Sequence, residues 1–124
     1  MLVQVPILKQ GSYLIATIQS ALTDADIVQL RDSLVEQVGR CRSTGVIIDV
    51  TALDVLDSFA TGTLQELSHM VRLRGAKTVI VGIQPDVAFA MVLMGLRLEG
   101  VATTLDLEEG LAHLDRTARL ARRP

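Results

Sequence analysis

Aromatic side chains are nearly absent from this sequence of 124 residues, which has one tyrosine (Tyr13), two phenylalanines (Phe59 and Phe89) and no tryptophan. Rings so widely scattered make no stacking platform for nucleobases, and they leave the core to Leu, Val, Ile, Ala and Met. A dominant sign of charge is missing too. The formal balance of -2 supplies no field that would draw the chain onto nucleic acid or an anionic membrane. A single cysteine, Cys41, excludes an intramolecular disulfide and suits a reducing compartment. The start, Met1-Leu2-Val3-Gln4-Val5-Pro6, lacks the basic region and long apolar run of a signal peptide. The longest apolar stretches, Val87 to Met94 and Val79 to Val81, fall far short of a membrane span. These absences predict a cytoplasmic protein with neither a nucleic-acid nor a membrane partner. With no linker, repeat or break in composition, one domain over residues 1–124 is expected.

What is present is an alternation of short apolar runs with helical periodicity. Val3 to Lys9 and Tyr13 to Ile18 read as strands joined by a turn at Gln10-Gly11-Ser12, and Pro6, lacking a backbone donor, puts the first at an edge. Thr23 and Asp26 have capping-box spacing and open a helix whose stripe is Ile27, Leu30, Leu34, Val38 and a buried Cys41. After Gly45, the run Val46 to Val50 suits a central strand. A second helix is expected from about Phe59 to Leu73, with Ala60, Leu64, Leu67 and Val71 on one face. Lys77 to Gly82 reads as a strand, and Pro85 to Gly95 bounds a third helix. Ala102 to Leu105 is a last strand, and Asp106 with Glu109 caps a helix lined by Leu107, Leu111, Leu114 and Ala118. The order β-β-α-β-α-β-α-β-α predicts an α/β fold, with a mixed, mostly parallel sheet, an N-terminal hairpin and about four helices.

Chemistry concentrates after the central strand, in Ile48-Asp49-Val50-Thr51-Ala52-Leu53-Asp54-Val55-Leu56-Asp57-Ser58-Phe59. Three carboxylates follow a buried strand and a hydroxyl stands where a helix begins, the region in which α/β sheets present functional groups. Ser58 is placed to cap that helix. The plainer alternative makes Ser58 only a cap, Thr51 only a turn residue and the aspartates only solvated loop charges. An enzyme reading would make Asp49, Asp54 and Asp57 a Mg²⁺ site for phosphoryl transfer. All three come from one short loop, however, and Lys77 begins its strand at the wrong end to meet them. His69 follows Glu66 at i+3 without the second copy a metal carboxylate site needs, and His113 is solitary. No G-x-S-x-G, P-loop or G-x-G-x-x-G occurs. The arginines Arg116, Arg119, Arg122 and Arg123 read as a basic helix end rather than a phosphate-recognition site.

The run Asp49-x-Thr51-x-Leu53-x-x-x-Asp57-Ser58 resembles the signature of STAS domains. The stretch Val81-Gly82-Ile83-Gln84-Pro85-Asp86-Val87-Ala88 through Met94-Gly95-Leu96, with Asp57-Ser58-Phe59, is similar to the stressosome branch of that family. The resemblance implies a SpoIIAA-like fold and a non-enzymatic scaffold and antagonist needing no cofactor. It implies phosphorylation of Ser58 by a GHKL-type serine kinase that brings its own ATP and Mg²⁺. It further implies a longer STAS paralogue as assembly partner in a large homo- and hetero-oligomer, and a phosphatase that resets Ser58. Asp49, Thr51 and Asp57 are expected to support the phosphosite, and Asp54, Phe59, Ala60 and Thr61 to contact the partner. Thr61 and Thr63 are secondary candidate acceptors. A direct anti-sigma factor antagonist is the alternative within the family, and a STAS module serving a transporter is a further one.

Overall fold

The computed structural model describes residues 4–121. In chain order the elements are β1 (Ile7–Gln10), β2 (Tyr13–Thr17), α1 (Asp24–Cys41), β3 (Gly45–Asp49) and α2 (Ser58–Leu73), then β4 (Lys77–Val81), α3 (Pro85–Leu93), β5 (Ala102–Thr104) and α4 (Leu107–Ala121). The five strands lie in sequence order; β1 pairs antiparallel with β2, and β2 through β5 are parallel. This is the mixed α/β sheet with an opening hairpin that the alternation predicts.

Gln10 stands opposite Tyr13, so the hairpin turns on two residues, and Gly11 takes the left-handed φ of 59° that such a turn demands. β1 is shorter than the expected Val3 to Lys9. Its ladder begins at Ile7, because Pro6 can offer only its carbonyl, which accepts the Thr17 N–H at 3.2 Å. Val3 lies outside the described residues.

Alternation along the strands divides the core in two. Leu14, Ala16, Val46, Ile48 and Ile80 face Ile27, Leu30, Leu34 and Val38 of α1, Leu64, Leu67 and Val71 of α2, and Val87 and Met91 of α3. Ile15, Ile47, Val79 and Val81 face the other way, onto Leu114 of α4, with Leu107 and Leu111 at the margin. Gly110 lets α4 approach closely: a Cβ there would sit 2.8 Å from Val81 Cγ1. Cys41, expected as buried filler, is only half-buried at the last position of α1, where it packs at the margin of the larger core.

The helix ends are set locally. At α1 both capping-box bonds form, Asp26 N–H to Thr23 Oγ1 at 3.1 Å and Thr23 N–H to Asp26 Oδ2 at 3.0 Å. At α4 the Glu109 N–H donates to Asp106 Oδ1 at 2.9 Å, but the Glu109 carboxylate accepts from the Leu105 N–H rather than that of Asp106. Pro85 opens α3, which buries only Val87 and Met91 and leaves Phe89, Val92 and Leu93 exposed, with Met94 beside them. Among the described residues no helix is long and apolar enough to cross a membrane.

Candidate functional site

The loop from β3 to α2 leaves the sheet at the carboxyl ends of the parallel strands. Asp49 closes β3, and its Oδ1 accepts from the Thr51 N–H at 2.9 Å and the Thr51 hydroxyl at 2.6 Å, folding the chain back on itself as an Asx turn does. The Val50 N–H still reaches the Val81 carbonyl at 3.0 Å, and the Leu53 N–H returns to the Val50 carbonyl at 2.9 Å. Leu53 and Leu56 are buried in the larger core and pin the loop from below, while Asp54 and Val55 point outward and are exposed. From the β4–α3 connection, the Gln84 side-chain amide donates to the Thr51 carbonyl.

Ser58 does not cap α2. The cap is Asp57, in extended conformation, whose Oδ1 accepts the Ala60 N–H at 2.8 Å while its carbonyl takes the Thr61 N–H at 2.9 Å. Aspartate caps as well as serine and adds a charge that the helix dipole favours, so the neighbouring serine is released from that task. Ser58 becomes the first residue of the helix, one position earlier than expected, and is exposed. Among the described residues no partner engages its hydroxyl. Phe59 is 43% exposed and Ala60 half-buried.

Thr61, expected at the partner surface, is buried at 3% exposure, and its Oγ1 has no hydrogen-bond partner among the described residues. Thr63 is buried as well, and its hydroxyl donates to the Phe59 carbonyl at 2.8 Å. Neither presents a hydroxyl to solvent, which removes both as acceptors in this structure. The physical reason is the helix period: Thr61, Leu64, Ser68 and Val71 share the inward stripe. A buried hydroxyl left unpaired costs about 1–3 kcal/mol of desolvation. Thr61→Val therefore raises stability by about 1 kcal/mol, read as a higher denaturant midpoint with unchanged slope. An unchanged or lower midpoint counts against this account of Thr61.

Asp49 is occupied by Thr51, and among the described residues no group of three or more His, Cys, Asp or Glu could hold an ion. Lys77 pairs with Gly45 while Val81 pairs with Asp49, so the lysine lies at the far end of the sheet. His69 and His113 belong to different helices, α2 and α4. Arg122 and Arg123 lie outside the described residues. A groove lined by Tyr13, Thr44, Lys77, Leu111 and Asp115 lies at the strands' amino ends, distant from the acidic loop.

Three residues at the site escaped the sequence reading. Val55 is 71% exposed beside Asp54, an apolar residue in a loop otherwise read for its acids. Gly82 and Gln84 reach Thr51 from another connection, and only their place in the Val81–Pro85 stretch hinted at a role.

A mixed sheet with three helices on one face and one on the other, carrying an exposed serine straight after an aspartate cap, has the architecture of a STAS domain. The STAS domain model matches residues 4–110, and the chain belongs to that family. It is similar to RsbS S58E from Moorella thermoacetica, at 38% identity and a TM-score of 0.80, over 94% of this chain and 99% of that one. A chain of the stressosome, described as a signal integration and transduction hub, is 36% identical with a TM-score of 0.73, over 92% of this chain and 99% of that one. The RsbT co-antagonist protein RsbRA of Bacillus subtilis is 34% identical over 83 residues, 67% of this chain, which spans 30% of that relative's length. SpoIIAA, an anti-sigma factor antagonist, shares the fold at 14% identity and a TM-score of 0.69.

Proposed function

We propose that this chain is a non-enzymatic, cytoplasmic stressosome scaffold and antagonist that binds a GHKL-type, RsbT-like serine kinase and releases it when Ser58 is phosphorylated. The observation that carries this reading is the free hydroxyl of Ser58, exposed at the start of α2 because Asp57 has taken the cap. Similarity over nearly the whole chain to RsbS, and in part to a protein named as an RsbT co-antagonist, supports it.

Phosphorylation adds roughly -1.5 to -2 charge and three acceptor oxygens at pH 7. In the first turn of α2 the Ala60 N–H is held by Asp57, while the N–H groups of Ser58 and Phe59 lie at the positive end of the helix. The fold therefore accommodates the new charge. A partner seated over Asp54, Val55, Asp57 and Phe59 instead meets an enlarged negative patch that it must desolvate, and it dissociates. Asp49 and Thr51 keep the loop in shape, and the kinase supplies ATP and Mg²⁺. Longer, RsbR-like STAS paralogues complete a large assembly, and a phosphatase resets Ser58.

The test is intact-mass and peptide mass spectrometry after incubation with the candidate GHKL kinase and Mg-ATP, comparing wild type with Ser58→Ala. One phosphate, mapped to Ser58 and lost in the variant, is expected. Labelling of both proteins alike, or of neither, rejects Ser58 as the switch. Mixing the chain with a longer paralogue and sizing the product separates a scaffold, which forms very large particles, from a direct anti-sigma factor antagonist, which forms a small complex with its kinase.

A further inference from the structure

We propose that Gly82 and Gln84, in the connection between β4 and α3, are positioning residues for the acceptor loop: they fix the Thr51 turn and through it the presentation of Ser58. This rests on the reading of Ser58 as the phosphoacceptor.

The loop spanning residues 50–57 has little else to hold its polar backbone. Its fasteners at the β3 end are the two bonds from Thr51 to Asp49, the Val50–Val81 bond and the Leu53–Val50 bond. Among the described residues, the side-chain hydrogen bond that reaches it from another element is the one from Gln84 to the Thr51 carbonyl. Gly82 acts at the same residue by making room. Its φ of +81° belongs to the region glycine favours, and a Cβ there would overlap Thr51 Oγ1 and lie 3.0 Å from Thr51 Cβ and 3.1 Å from its backbone Cα. The hydroxyl so crowded is the one that donates to Asp49 at 2.6 Å. Glycine at 82 thus allows the Asp49–Thr51 contact, and Gln84 clamps the same turn from the carbonyl side.

Beyond Thr51 the chain has only Leu53 and Leu56 as buried anchors before Asp57 caps α2. Displacing the turn shifts those anchors and the serine that follows, and phosphoryl transfer is sensitive to placement of the nucleophile on the ångström scale. Gln84 is also the residue that precedes Pro85 at the start of α3, the helix whose Phe89, Val92 and Leu93 are exposed. The acceptor loop is therefore held by the root of a helix that lies outside the acidic segment altogether.

The test uses the full chain with Gln84→Ala, Gln84→Glu and Gly82→Ala. Gln84→Glu keeps the length but loses the donor and sets a carboxylate against the Thr51 carbonyl, so it should be no better than Gln84→Ala. With the GHKL kinase and Mg-ATP, kcat for Ser58 phosphorylation is expected to fall about tenfold while KM for the chain stays within about twofold. Amide hydrogen exchange across residues 51–58 is expected to quicken about tenfold, with Leu64 to Val71 unchanged. Gln84 sits at a partly exposed position, so its variants keep the measurement available if Gly82→Ala does not fold. Wild-type kcat in both Gln84 variants, or unaltered exchange in the loop, overturns the proposal. Failure of the wild type itself to be labelled removes the acceptor reading, and the exchange measurement then decides the positioning claim alone.

Discussion

On the proposed function, Ser58→Glu lowers the affinity of the chain for a GHKL-type kinase by about tenfold or more, a cost of at least about 1.4 kcal/mol, and leaves its melting temperature almost unchanged. The two halves of this expectation come from the same location. Within the first turn of α2 a carboxylate interacts favourably with the helix dipole, by about 0.3–1 kcal/mol, and the exposed position requires no repacking. Toward a partner the sign reverses. Asp54 and Asp57 are already exposed there, and a further negative group buried without a counter-charge is expensive. Ser58→Ala should bind like wild type but never release. Isothermal titration of the three proteins with the kinase, before and after incubation with Mg-ATP, reads affinity and release, and thermal melts of the free proteins read stability. Equal affinities for wild type and Ser58→Glu would sink the electrostatic mechanism, and a large fall in melting temperature would show that the charge acts by unfolding α2.

Leu67→Ala removes about 3 kcal/mol of folding stability, within the 2–5 kcal/mol typical of buried leucine truncations. Leu67 is fully buried in α2 among the α1 and sheet residues of the larger core, where a cavity has no easy way to collapse. For a domain whose total stability is about 5–15 kcal/mol, the loss is severe, equivalent to roughly 10 °C in melting temperature. Leu73→Ala is the control. It lies at the exposed C-terminal end of the same helix and should change stability by less than about 0.5 kcal/mol. Denaturant titration distinguishes them, and similar midpoints for the two variants would show that the face packed against α1 has been misassigned.

The fold was legible because its signals are local and repeated. Ile27, Leu30, Leu34 and Val38 mark one helix face by spacing alone, Thr23 and Asp26 announce its start, and Val46 to Val50 shows a strand buried on both sides. The start of α2 was legible but shifted by one residue. Asp57 and Ser58 are both strong capping residues, and nothing in their order says which will cap. The outcome depends on Leu53 and Leu56 entering the core and on Thr61 joining the inward stripe. Thr61 itself is ambiguous in a sequence, since its methyl suits a core and its hydroxyl a surface. Gly82 and Gln84 were hidden for a different reason. Their meaning lies in Thr51, a residue 33 positions away from Gln84, and no local pattern encodes that meeting.

The uneven cover of the sheet has a consequence for handling and for crowded assemblies. One helix, α4, shields Ile15, Ile47, Val79 and Val81, whereas the other face has three. Should α4 peel away, a row of β-branched side chains on neighbouring strands becomes a sticky strip of the kind that seeds aggregation. The contact of Gly110 and Leu114 with the sheet is thus the safety catch of the molecule, guarding its solubility as well as its shape on the face turned away from α2.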